Sequence, residues 1–503
     1  MFSKVEQVSE LDLQKGLANL VRDGVYAQAV GALTAGVLLV GYGLALGASN
    51  FIIGLLASVP FLAQLAQIPA ITLVERLRAR RPIAVIGLGL SRFLLVPMAF
   101  LPFLESRELA QWLLVIGTAL SAALGAAAGC GWNSWIHDLV PQRILGEFFS
   151  RRLLYATAFS MVAGLAGGGF VEWWGGAHPE LPAYAYTVLY LLGAGVGALS
   201  TYYLALVPEP RMAPPERVIH LGRMLAEPFR DQHFRRLIWF LGSWQFAINL
   251  AAPFCTVYLV SQLGFDMGFV TLMMVTSQLA NVMILRKWGE LSDRFSNKAV
   301  LRVGAPLFLL CIVAWPLVSL PQNRTAIVVL VTLLHVAMGF TIAGVNLASG
   351  NIGLKMAPRG RGTAYLAANS IVNSLAAGIA PIIGGLFADD FAARELSLVL
   401  RWASGPEASE FVTLRLRHWD FFFALAGLLG LYALHLLSLV EEEGRVDDRA
   451  VVAELVLEAR RTVQTLSSVA GLRQLTSFPF GKILEAARAK RAERRIPARE
   501  PSK

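Results

Sequence analysis

The stretch GELSDRFSNKAVL, residues 289–301, sets Glu290, Asp293, Arg294 and Lys298 between two long apolar runs. A short connector this rich in charge, in a chain this oily, decides how the whole is read. Apolar runs of about 20 residues, the length that crosses ~30 Å of hydrocarbon, recur on both sides of it. Of 503 residues, 56% are hydrophobic and 16% charged, and mean hydropathy is +0.58. Soluble chains carry about 25% charged residues. The composition is that of a polytopic membrane protein.

Spans are expected near 24–47, 51–72, 83–104, 109–131, 153–173 and 184–206, then near 237–261, 268–286, 299–320, 325–348, 363–387 and 419–440. The chain divides accordingly into a six-helix half (1–206), a Pro-rich basic linker (207–236), a second six-helix half (237–440) and a basic amphipathic tail (441–503). With the N-terminus inside, the inner connectors are ERLRARRP, the linker, RKWGELSDRFSNK and KMAPRGRG, whereas LGASN and LGFDMG outside carry no Lys or Arg. That bias places both termini in the cytoplasm, in an inner (plasma) membrane. The first twenty residues lack the apolar core of a cleavable signal, so the first span directs insertion. The net charge of +10 follows from these connectors and calls for no nucleic acid. In the tail, Val452, Leu455, Ala459, Val463 and Leu466 recur at helical spacing beside Arg460 and Arg461. A helix lying on anionic membrane lipids and a helix docked on a partner both fit.

The two halves repeat each other. Gln28 aligns with Gln245, Gly47 with Gly264, and Gly167-Gly168 with Gly384-Gly385 at one offset, which also pairs Pro141 with Pro358. After a one-residue slip, Leu73, Glu75, Arg76 and Arg80 align with Leu291, Asp293, Arg294 and Lys298. Two such halves are the signature of a transporter that rocks about a midplane site.

The connector resembles the signature of the major facilitator superfamily, G-x-L-x-D-R before a basic run. Gly289, Leu291, Asp293, Arg294, Lys298 and Leu301 fit it, while Ser296 and Asn297 depart from it. In the first-half copy Ile71 replaces the glycine and Glu75 the aspartate. The resemblance implies an all-α membrane fold of twelve helices in two pseudo-symmetric halves. In that fold the second span of one half faces the fifth of the other. Glu75 would then meet the start of the eleventh span near 360–362, and Asp293 the start of the fifth near Gly146, with Arg143, Arg151 and Arg152 in reach. Carboxylates at helix N-termini would thus shut the cytoplasmic side, and Arg76, Arg294 and Lys298 belong to the same gate. A solvated, topology-setting connector is the alternative. Asp138 and Lys355, equivalent in the repeat but opposite in charge, are expected to pair only when the inside is shut. Exchanging their charges would then restore activity lost on neutralising either.

Arg92 lies mid-span with Ser91 beside it, at a cost of at least ~2.5 kcal/mol. It either faces an anionic or zwitterionic substrate or caps carbonyls between helices. No Asp or Glu is expected near the middle of a span; Asp23 is placed at the cytoplasmic start of the first. The cavity lining is expected from Tyr26, Gln28, Arg92, Trp132, Asn133, Gln245, Asn249, Gln278, Asn346 and Asn373, each of which can instead serve as an interhelical hydrogen bond. Trp244, Gln245 and Asn249 cannot all share one face. The glycine clusters GLAGGG (164–169) and GIAPIIGG (378–385) read either as close helix packing or as the family's antiporter signature.

Cys130, Cys255 and Cys311 lie far apart in apolar runs and read as buried hydrophobes. The chain shows no nucleotide loop, zinc spacing or catalytic triad, so neither an enzyme nor a cofactor is expected. The reading is a monomeric secondary transporter of a small organic solute, anionic or amphipathic, coupled to an ion for which a proton is the candidate. A membrane scaffold or sensor that has kept the fold, and a lipid flippase, are the alternatives.

Overall fold

The computed structural model describes residues 9–141, 144–211, 226–358, 362–392, 394–404, 407–417 and 419–442. Twelve helices among them are long and apolar enough to cross a membrane: α1 Glu10–Ala45, α2 Asn50–Leu77, α3 Arg80–Phe103, α4 Arg107–Leu139, α5 Gly146–Ala177, α6 Tyr184–Ala205, α7 Gln232–Gln262, α8 Met267–Arg294, α9 Asn297–Ser319, α10 Arg324–Met356, α11 Ala364–Phe391 and α12 Trp419–Leu439. Helices dominate because a spanning segment must satisfy every backbone polar group internally. Their starts are written in short polar side chains that accept from the first free N–H groups. Ser9, Ser49, Ser106, Asp231, Asp266, Ser296 and Asn323 cap α1, α2, α4, α7, α8, α9 and α10. Ser296, a departure from the family signature, is therefore the cap of α9. A β-hairpin of β1 Glu395–Ser404 and β2 Glu407–Arg417 joins α11 to α12 and adds the only strands among the described residues.

α1 starts well before residue 24, where the sequence placed it. Its polar first turns bury Leu20 against the core that holds Trp135, Leu204 and Val207. Gly16 there faces Pro208, whose Cδ would stand 2.9 Å from a Cβ. Hydropathy misses this lead-in because only one stripe of it is apolar. Farther along, α1 breaks. Ala35 is extended and Gly36 has φ +57; the Thr34 carbonyl freed there accepts from the Tyr190 hydroxyl at 3.2 Å. The repeat shows in the backbone too, since Gly47 and Gly264 end α1 and α7 with φ +78 and +64.

The halves meet where α2 packs on α11 and α5 on α8. The close approaches cluster at the end that carries the α1–α2 and α7–α8 loops. A Cβ at Gly54 would strike the Pro381 carbonyl, one at Gly385 the Asn50 carbonyl, and one at Gly168 the Thr271 hydroxyl. The two glycine clusters thus serve as packing faces between the halves. At the opposite, linker end the corresponding sites stand open, with no atom within 4 Å of a Cβ at Gly146 or Gly289. The bundle is shut at the loop end and, among the described residues, open at the linker end.

Candidate functional site

Beneath the shut end lies a cavity of about 370 Å³ lined from both halves. The break in α1 forms one wall, with Gln28, Ala35 and Gly36; α5 contributes Thr157, Ser160 and Gly164, and α8 contributes Thr271, Met274 and Gln278. Its polar groups are amides and hydroxyls, with no ionisable side chain among its lining residues. The unwound turn matters chemically, since a helix broken at mid-membrane frees backbone groups that can bind a solute. Gln28 and Gln278 were expected here. Thr157 and Ser160 were not, because a hydroxyl in an apolar helix can always return to its own backbone, as Thr271 does to the Met267 carbonyl at 2.7 Å.

The other expected lining residues are not among those that line this cavity. Tyr26 stacks on Tyr203 of α6 at 5.7 Å and meets Phe159 edge-on, away from the cavity. Asn249 spends its amide on the Gln245 carbonyl at 2.8 Å and on that residue's side-chain oxygen at 3.3 Å. Trp132 packs on Phe149 and lies under the Arg152 guanidinium, 5.0 Å away. Asn133 and Asn346 are exposed, and the Asn373 side-chain oxygen is buried with no hydrogen-bond partner.

Arg92 is 7% exposed and turns into the first half, not toward the inter-half cavity. It donates to the Thr201 hydroxyl at 2.5 Å and lies 4.0 Å from Asp23. Its aliphatic stem borders a separate cleft of about 620 Å³ between α3 and α6. Asp23 is no terminal residue: it lies inside α1, 3% exposed. It accepts from Ser200 at 2.6 Å and pairs with Arg152 at 3.5 Å. A buried acid between two guanidiniums therefore stands toward the linker end of the first half. The signal lies in three residues on three helices, and spacing along one helix cannot pair them.

Of the expected gate, Glu75, Arg76, Asp293 and Arg294 are exposed at the open linker end. Arg143 and residues 360–361, ahead of α11, lie outside the described residues, as do the linker's middle and the tail beyond 442. Lys298 is a correction. It is 7% exposed and bound within its own half, donating to the carbonyls of Val440 and of Ser438, the latter at 3.2 Å. Its backbone N–H donates to Glu442 at 2.7 Å. Arg80, its repeat mate, is fully buried: its backbone N–H donates to Glu209 at 2.8 Å, and its guanidinium bonds Asp138. Lys355 pairs with Glu442 at 3.0 Å. Asp138 and Lys355 are thus each committed within their own half. Glu209 and Glu442 went unread, although LVPEP (206–210) and LVEEE (439–443) follow the last span of each half in the same way. Asn297, the other departure from the signature, donates to Glu442 at 2.9 Å and accepts from Ser292 at 2.6 Å.

Two six-helix halves, joined by a linker, closed at one end and enclosing a midplane cavity, define a membrane transporter. The sequence profile of the Major Facilitator Superfamily matches residues 25–381, and the chain belongs to that family. Among solved structures it resembles a point mutant of the nucleoside transporter NupG (12% identity, 86% of this chain and 100% of that one, TM-score 0.62). It likewise resembles a D-xylose–proton symporter (16%, 87% and 100%, 0.61). A third likeness is to a bacterial homolog of the human lysosomal transporter Spinster, inward-facing and occupied (14%, 85% and 96%, 0.58). At these identities the likeness is one of fold. No curated protein matches the sequence significantly. The chain is a multi-pass membrane protein and a secondary transporter.

Proposed function

We propose that the chain carries a small, uncharged polar solute by rocker-switch alternating access, across an inner membrane with the linker and both termini in the cytoplasm. The basic inner connectors support the orientation, which makes the described state inward-open. The observation that carries the substrate class is the lining of the inter-half cavity. Gln28, Thr157, Ser160 and Gln278 offer donors and acceptors without charge, whereas Arg92 is engaged by Asp23 and Thr201. An anionic substrate thereby loses the residue that favoured it. In this reading Glu75 and Asp293 close the cytoplasmic side in the opposite state, by meeting the starts of α11 and α5. Turnover draws on an ion or solute gradient, with a proton as the candidate ion.

The test is a thermal-shift screen of purified protein against neutral, anionic and cationic metabolites, beside Gln28→Ala and Gln278→Ala. Stabilisation by a neutral hydroxylated or amide-bearing solute, weakened in both variants by about tenfold in apparent affinity (one lost buried hydrogen bond), is the expected result. Stabilisation by an anion, lost in Arg92→Gln and kept in the glutamine variants, would reverse the assignment.

A further inference from the structure

At the shut loop end, a carboxylate of the second half sits on the first turn of a helix of the first. Asp389, near the end of α11, accepts from the Asn50 backbone N–H at 3.1 Å, the Asn50 side-chain amide at 2.8 Å and the Phe51 backbone N–H at 2.9 Å. These are the first residues of α2, whose own cap, Ser49, serves the next N–H at Ile52. A helix leaves its first N–H groups without internal partners, and here the opposite half supplies them.

The repeat offset that relates Gln28 to Gln245 carries Glu172 of α5 onto Asp389, and Asn50 and Phe51 onto Met267 and Gly268 at the start of α8. Glu172 stands at the equivalent place, a carboxylate oxygen lying against the position where a Gly268 Cβ would be, but the cap of α8 is Asp266, which accepts from Phe269 at 2.7 Å.

We propose that Asp389 is a latch that holds the loop end shut, capping the second helix of the first half with an acid from the fifth helix of the second. The proposal rests on the alternating-access reading. It gives that reading a physical counterpart: the linker-end gate would cap the starts of α11 and α5 with Glu75 and Asp293 from α2 and α8. Each rocking step then exchanges a capped helix N-terminus at one end for others at the opposite end. A charge-assisted cap is lost and a comparable one gained, which keeps the two states close in free energy and the switch reversible.

The experiment places spin labels at Glu180→Cys, in the α5–α6 loop, and Gln262→Cys, the last residue of α7, both exposed and in opposite halves, in full-length protein with Cys130, Cys255 and Cys311 replaced, in lipid nanodiscs. Two inter-half distances are expected in the otherwise unaltered protein, the shorter dominant. Asp389→Ala should raise the longer population relative to the shorter by about two- to thirtyfold, the range of a lost helix cap. Asp389→Asn, which keeps an acceptor oxygen, should do less and guards against misfolding. Two distances in unaltered proportion in Asp389→Ala would overturn the latch alone. A single distance in the parent and in every variant would overturn the alternating-access reading, and the latch with it.

Discussion

A carboxylate oxygen of Glu442, just past α12, lies 2.7 Å from the backbone nitrogen of Lys298 at the start of α9. The same carboxylate receives Asn297 at 2.9 Å and Lys355 at 3.0 Å, and its side chain is 1% exposed. It ties the start of α9 and the ends of α10 and α12 into one block. Glu209 does the corresponding work for Arg80 in the first half. The signature connector is thus the rim of a rigid half.

Glu442→Ala should destabilise the folded protein by about 1–3 kcal/mol, because a buried anion is removed from donors on three residues at once. Glu442→Gln, which keeps one acceptor, should cost less. Melting temperatures in detergent compare the two. Equal melting of Glu442→Ala and the parent would mean that the α9 start is capped by water.

Asp23→Asn should cost more than Arg92→Gln. The first strands two guanidiniums in the helix interior, at about 3 kcal/mol, whereas the second leaves Arg152 beside Asp23. Thermal unfolding ranks them, and the double variant should recover part of the loss. The reverse order would place the stabilising contact at Thr201.

Gly385→Val should bias the protein against the closed loop end by about 1–3 kcal/mol, since a Cβ there meets the Asn50 backbone rather than a side chain that can turn away. The loop-end label pair used for the latch reads this as a larger long-distance population. No change would show that α2 and α11 pack with room to spare.

Exchanging charges at Asp138 and Lys355 should fail to rescue. A lysine at 138 would stand beside Arg80, and an aspartate at 355 beside Glu442. Each like-charge contact costs about 0.5 kcal/mol at these half-exposed sites. The double variant should therefore melt below either single neutralisation. Rescue would support the expectation that these two residues meet across the gate when the inside is shut.

Much of the architecture was legible before any coordinates. Twelve apolar runs, the repeat offset and the connector signature each depend on local order along the chain. A span needs its apolar length, a cap needs its serine or aspartate one residue ahead, and a repeat needs only equal spacing. α1 was misjudged at its start because a half-apolar stripe, packed on Pro208 and Trp135, reads as polar to any average over the turn.

What the chain by itself determined is therefore the class of fold and its two-half division. The tertiary structure alone decided the partners of the charges: Asp23 with Arg92 and Arg152, Lys298 with Glu442, Asp389 with Asn50. The physical reason is range. Hydropathy and capping act over one or two turns and leave a trace in neighbouring letters. An ion pair between helices that are distant in sequence depends on how the bundle is packed and which end of it is closed.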